Sequence, residues 1–387
     1  MTSRVPVRIA AAGAVSGFGA GVEALWSGLL SGATRVGRTP SFLRGAAPVC
    51  RVPDAVIGER DADWTFTMLA AAARELRTCP SWARAAALPP GRLGVSVGTT
   101  QGPIDRWLDH QRRLAADPCF QPDRPALSGP VHRLARMLGA EGPVACPSMA
   151  CASGSAAIGL GLEWIQADLC DAVVAGGVDA LSEFVYTGFA NLKALDPELP
   201  RPFDAARAGL CLGEGAGLVL LAAEADEREG PELRGRGLSA DANHLTGPDP
   251  TGSGVARAMG QAFEEAGVTP AEIDFVSAHG TATVFNDLME SKAFTTVFGA
   301  EGARRVPVNS IKGALGHTMG AAGALEAVLC ARVIQRGLVP PTAGFRELDP
   351  EMTLDVVSGE PRPGRYRRVV STSSGFGGVN VALVLAS

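Results

Sequence analysis

Along the chain, short apolar runs of strand length alternate with longer stretches in which apolar residues recur at helical spacing. Val5 to Ala12 is followed by Val22 to Leu30, Leu93 to Val97 by Ile104 to Ala115, and Ala172 to Ala175 by a further helix or loop. Strands alternating with helical stretches predict parallel or mixed sheets covered by helices. The fold class is therefore α/β and layered.

Two stretches share a pattern. PSMACASGSAAIGLGLEWI at 147–165 and NSIKGALGHTMGAAGALEAVLCARVI at 309–334 each run from an extended segment, through a polar turn bearing a reactive side chain, into a helix rich in Ala and Gly. An internal duplication explains the pattern; chance likeness between two such helices competes with it. Residues 225–250, with REGPELRGRG and GPDP, read as the connection between the two parts.

Composition narrows the class. Of 387 residues, 46% are hydrophobic, 19% charged and 5% aromatic, and 48 are glycine, which suits closely approaching helices and strands and excludes a disordered chain. With a formal charge of −5, nucleic-acid binding is not expected, because phosphate neutralisation needs a concentrated basic surface. No apolar run approaches the roughly 20 residues that a membrane helix needs. The start, MTSRVPVRIAAAG, reads as a first buried strand rather than a signal peptide. The expectation is a cytoplasmic protein without membrane insertion, and eight cysteines without a CxxC pair fit reduced thiols.

Candidate chemistry centres on turns. Cys151 immediately precedes a helix of small residues, where the positive end of the helix dipole favours a thiolate. A lone cysteine is more often a buried apolar side chain, and Cys146, beside Pro147, is read that way. His279 ends the strand-like IDFVSAHGTAT, and His317 stands between an extended segment and a helix in IKGALGHTMGAAGALEA. Each histidine alone reads as structural; together with Cys151 at a matching turn, they suggest nucleophilic catalysis. Lys312 lies five residues before His317 and Glu290 eleven after His279, so the two are either solvated or a buried pair that tunes the imidazoles. SSGFGGVNVALVL at 373–385 is a glycine loop whose amides can approach a ligand closely. GEGAG and GAVSGFGAG lack dinucleotide-site spacing, and there is no P-loop or familiar zinc spacing, so no metal or permanently bound cofactor is expected.

These blocks resemble the motifs of the elongating β-ketoacyl-acyl carrier protein synthases, the fatty-acid and type II polyketide ketosynthases, along essentially the whole chain. ACASGSAAI is similar to the nucleophile motif, AHGTATVFNDLMESKA to the first histidine motif, NSIKGALGHTMGAAG to the lysine and second histidine motif, and GFGGVN to the C-terminal loop. RPFDAARAGLCLGEGAG is a fifth matching block. The resemblance implies a thiolase fold, two pseudo-duplicated halves in α-β-α-β-α layers, with the nucleophile in residues 1–240 and the histidines in 241–387. It implies that Cys151 attacks an acyl thioester, with amides of Cys151 and Phe376 as oxyanion hole. His279 and His317 would promote decarboxylation of a malonyl thioester, with Lys312 held by Glu290. Thr281 and Thr283 would line the tunnel for the phosphopantetheine arm of an acyl carrier protein, and Phe376 would be the gate. The implied partners are that carrier and a second subunit, as a homodimer or a heterodimer with a ketosynthase-like paralogue.

The chain departs from the family pattern at Val284, Phe285 and Asn286, where many relatives have proline and glycine, and at Ser374, where an aromatic is common. These departures point to a specialised polyketide or polyene pathway. Arg60 alone is basic among residues 55–70, where relatives present part of their carrier-docking surface; Arg201, Arg207 and the group Arg365, Arg367 and Arg368 are alternatives. Two other readings compete: a noncatalytic chain-length-factor-like partner, which typically lacks the nucleophile, and a CoA-dependent priming enzyme, which pairs its cysteine differently. Cys151, His279 and His317 together speak against both.

Overall fold

The computed structural model describes residues 5–38, 48–58, 63–120, 126–223 and 230–387. Arg60 lies outside them. In the first half, five strands form a mixed sheet: β1 (Val7–Ser16), β2 (Leu93–Gly98), β3 (Val144–Ala145), β4 (Ala172–Asp179) and β5 (Gly215–Ala223). Their spatial order is β3-β2-β4-β5-β1, with β3, β2 and β4 parallel and the last two pairings antiparallel. The second sheet is built from β6 (Glu232–Ala240), which falls before the expected boundary at 240/241, with β7 (Phe275–Ser277), β8 (Pro307–Asn309), β9 (Arg368–Gly375) and β10 (Val379–Ala386). Their order is β8-β7-β9-β10-β6, again two parallel pairings followed by two antiparallel ones. Counted within each half, both orders are third, second, fourth, fifth, first. The duplication hinted at by two helix-opening turns is thus present in the strand topology. A single pair, Arg8 with Glu232, joins the two sheets at β1 and β6.

Helices sort into three layers. They are α1 (Val22–Leu30), α2 (Trp64–Leu76), α3 (Ile104–Ala116), α4 (Gly129–Leu138), α5 (Ser153–Gln166), α6 (Glu183–Asn191), α7 (Ser253–Ala266), α8 (Val284–Ala303) and α9 (Ala322–Arg336). Strand alternation explains the layering, since successive side chains point to opposite faces. Leu218 and Leu220 of β5 pack with Met68 of α2 and Leu134 of α4, whereas Val219 and Leu221 pack with Ile158 of α5 and Leu325 of α9. Leu383 and Leu385 of β10 enter that same inner layer, while Ala382 and Val384 join Met259 of α7 and Phe294 of α8. The result is the α-β-α-β-α body, with α5 and α9 enclosed between the sheets. Residues 225–250 contain more than a connection: β6 lies there and pairs along β10. Its sequence, ELRGRGLSA, hides the strand because arginines and glycines break the apolar alternation. Among the described residues, no helix is long and apolar enough to cross a membrane.

Candidate active site

Cys151 sits in a turn between β3 and α5. Ala150 takes a left-handed conformation with φ of 48°, and the Ser153 hydroxyl closes the turn by accepting from Met149 N and donating to Ala150 O. Gly154 lets the helix start meet the other half, because a Cβ there would stand 2.6 Å from Gly320 O. Gly375 serves the same end: a Cβ would lie 2.8 Å from Met149 O and 3.2 Å from Cys151 N, so the strand leading to Phe376 can pass against the nucleophile's backbone. Cys146 follows β3 and is absent from the lining of the cavity described next.

A largely apolar cavity of about 410 Å³ is lined by Cys151, His279, His317, Thr281, Thr283 and Phe376, among others. The structure therefore brings together residues far apart in sequence, such as Cys151 and Phe376, 225 positions apart. The two imidazoles face each other edge to face, centroids 5.2 Å apart at 86°. Each has a buried Nδ1 without a hydrogen-bond partner among the described residues. The His317 turn is clamped by the first half: His317 N donates to Cys211 O at 2.6 Å and Gly213 N to His317 O at 2.9 Å, which gives the block RPFDAARAGLCLGEGAG a physical role. The Thr281 and Thr283 hydroxyls are 2.9 Å apart on the cavity wall. Phe376 stacks on Phe189, centroids 5.4 Å apart, beside the exposed Val284 and Phe285.

The electrostatics differ from the sequence reading in two respects. The helix dipole was expected to favour a Cys151 thiolate; instead burial pushes the thiol up to about 12, with Asp179 adding to the rise. Lys312 and the amides of Cys151 and Phe376 oppose this without prevailing, because a charge enclosed in an apolar cavity loses more solvation than they return. Both amides expected to form the oxyanion hole thus lie near the Cys151 sulfur. Second, the partner of Lys312 is Glu326 of α9, at 2.5 Å with both side chains enclosed, rather than Glu290. Glu290 is occupied elsewhere: it accepts from His279 N at 2.7 Å and Gly280 N at 2.6 Å, fixing the histidine turn. Burial pushes Glu290 up to about 7, with the neighbouring Asp287 also raising it. Burial holds both histidines well below their usual value, and Lys312 adds to that, so both imidazoles are neutral near pH 7.

Several residues escaped the sequence reading. Glu326 carried a signal: it is the one acidic residue in AGALEAVLCARVI, a helix buried nearly all round, and such a charge needs a partner. Arg207, considered above as a docking residue, is buried; its guanidinium reaches Thr283 O, Val284 O, Asp204 O and Asp349 and so braces the cavity wall. Asp287 accepts from Phe203 N and Ala282 N, and Asp179 accepts from Gly320 N, Thr99 and Thr100. Arg201 pairs with Glu198 and Arg368 with Glu272.

The chain matches the β-ketoacyl synthase N-terminal domain over residues 4–227 and the β-ketoacyl synthase C-terminal domain over residues 231–346. It belongs to the β-ketoacyl synthase family. This ketosynthase is 37% identical to the tetracenomycin polyketide synthase ketoacyl synthase alpha subunit of Streptomyces glaucescens, over 95% of the chain and 94% of that relative. It is 39% identical to 3-oxoacyl-[acyl-carrier-protein] synthase 2 of Mycobacterium bovis, over 76% of the chain and 74% of the relative. Among solved structures, the ishigamide ketosynthase/chain length factor superposes with a TM-score of 0.88 at 32% identity and full coverage of both chains. The ketosynthase is accordingly an acyltransferase-type condensing enzyme of thiolase fold.

Proposed function

We propose that this ketosynthase condenses an acyl group held on Cys151 with malonyl-acyl carrier protein, releasing CO2 and a β-ketoacyl-acyl carrier protein. The observation that carries this reading is the meeting of Cys151, His279 and His317 on one largely apolar cavity with Phe376. In the first step the Cys151 sulfur bonds to the acyl carbonyl, the carrier's thioester bond breaks, and the Cys151 proton ends on the departing pantetheine sulfur. Amides of Cys151 and Phe376 hold the developing oxyanion. In the second, malonyl decarboxylation leaves an enolate whose oxygen the neutral His279 and His317 stabilise by hydrogen bonds in an enclosed, apolar space. The enolate carbon then attacks the acyl carbonyl, and Cys151 departs and is reprotonated. Lys312, held by Glu326, sets the field around these groups, and Glu290 sets the His279 turn.

Thr281 and Thr283 line the path of the phosphopantetheine arm, and Arg207 braces that wall. An acyl carrier protein is the partner that presents the arm, and the second subunit is an identical chain or a ketosynthase-like paralogue. The name of one relative, a ketosynthase/chain length factor, supports the paired form. The polyketide synthase relative and the departures at Val284, Phe285, Asn286 and Ser374 favour a specialised acyl chain over housekeeping elongation, in the cytoplasm. The test supplies an acyl carrier thioester and malonyl-acyl carrier protein. The expected outcome is a β-ketoacyl product and CO2 from the wild type and no product from Cys151→Ala, with Cys151→Gln retaining malonyl decarboxylation. Product formation by Cys151→Ala at the wild-type rate would overturn the reading.

A further inference from the structure

Glu290, fully enclosed on α8, accepts two hydrogen bonds on each carboxylate oxygen. The main chain supplies one to each: His279 N to Oε1 and Gly280 N to Oε2. Side chains complete the set, with Thr372 Oγ1 donating to Oε1 at 3.1 Å and Asn286 Nδ2 to Oε2 at 3.1 Å. The two side-chain donors arrive from different directions. Asn286 lies in the first turn of α8, lines the cavity and also reaches Asp287 Oδ1 at 3.2 Å. Thr372 is buried on β9, four residues before Phe376.

Resting on the ketosynthase reading above, we propose that Thr372 and Asn286 are positioning residues, a side-chain donor on each oxygen of Glu290 that keeps the carboxylate ionised and the His279–Gly280 turn fixed against the cavity. Neither touches the reacting atoms; both act through Glu290. The reasoning is geometric. An ionised carboxylate accepts two hydrogen bonds on each oxygen, whereas its protonated form must donate from one oxygen, which can then no longer accept from both of its donors. Protonation of Glu290 therefore costs one of the four hydrogen bonds that fix the carboxylate and so weakens its hold on the His279–Gly280 turn. The surroundings are finely balanced: burial and Asp287, on the same helix, disfavour the charge, while Lys312, from the His317 turn, favours it. Arg207 stands 4.0 Å from Asp287 and offsets that neighbour. In such a balance, one hydrogen bond to the ionised form decides the protonation state near neutral pH.

Thr372→Val removes the hydroxyl at nearly constant volume, and Thr372→Ser keeps it. The acid limb of malonyl-acyl carrier protein decarboxylation is expected to move up by about 0.5 to 1 pH unit in Thr372→Val, and to stay at the wild-type position in Thr372→Ser. Asn286→Ala moves it in the same direction. A readout independent of catalysis is the difference in Tm between the Val and Ser variants. It should widen from about pH 6 to about pH 9, because the missing donor matters most where Glu290 is ionised. An unshifted limb with a pH-independent Tm difference overturns the proposal, and equal shifts in Val and Ser variants assign Thr372 to packing instead. A wild type that does not decarboxylate malonyl-acyl carrier protein even after acylation of Cys151 contradicts the ketosynthase reading, and the Tm comparison still decides whether Thr372 holds the ionised Glu290.

Discussion

The ammonium of Lys312 lies 2.5 Å from Glu326 Oε1, and neither side chain meets solvent. Breaking such a pair from one side leaves an uncompensated buried charge, at a cost of about 3–5 kcal/mol, whereas replacing both partners by apolar groups can be neutral. Glu326→Ala is expected to lower urea-unfolding stability by that order. The double variant Lys312→Met with Glu326→Leu should recover most of the stability and none of the lost condensation. Recovery of both would reduce the pair to a packing element.

The neutral state of the histidines has a kinetic consequence. If His279 and His317 stabilise the enolate as hydrogen-bond donors, His279→Ala and His317→Ala should each lower malonyl decarboxylation by about 100-fold to 1,000-fold, the usual cost of one oxyanion donor. Acyl transfer to Cys151 should fall far less, because the amides of Cys151 and Phe376 remain. Rapid-quench measurement of the two half-reactions separates the effects; equal losses in both would contradict the division of labour.

Cys151 should behave as a protected thiol. With its pKa raised by burial to about 12, the thiolate fraction grows tenfold per pH unit throughout the accessible range. Alkylation by iodoacetamide, followed on the Cys151 peptide, is expected to accelerate from about pH 7 to about pH 10 without levelling off. A plateau near neutrality would mean that the helix dipole and Lys312 outweigh burial.

Phe376 and Phe189 stack with centroids 5.4 Å apart at 29°, a contact worth about 0.5–1.5 kcal/mol. Phe376→Ala and Phe189→Ala should both open the cavity, raising the alkylation rate of Cys151 while lowering condensation. The expected signature is malonyl decarboxylation that no longer depends on prior acylation. Unchanged alkylation in both variants would show that the stack does not gate the site.

Much of this architecture is legible in the sequence where local pattern and tertiary role agree. The strand β1, the helix α1, and the turns bearing Cys151, His279 and His317 are all visible, because each follows from an apolar run that ends at a turn before a helix. What stays hidden is set by contacts between distant segments. Glu290 looks like the partner of Lys312 because it belongs to the neighbouring motif, yet its oxygens are taken by His279 N and Gly280 N, and Glu326 reaches the ammonium from α9. Arg207 reads as a docking residue until the carbonyls of Thr283 and Val284 are seen around it. The thiol of Cys151 departs from its sequence expectation for a similar reason: the dipole is written in the helix start, while the enclosure that opposes it comes from the whole fold.

The most direct measurement is the intact mass of the protein after incubation with an acyl carrier thioester, with the modified cysteine located by peptide mapping. The expected result is one added acyl group, on the peptide bearing Cys151, and none on the Cys151→Ala protein. No added mass on the wild type, or an acyl group on another of the eight cysteines that persists in Cys151→Ala, would contradict Cys151 as the nucleophile.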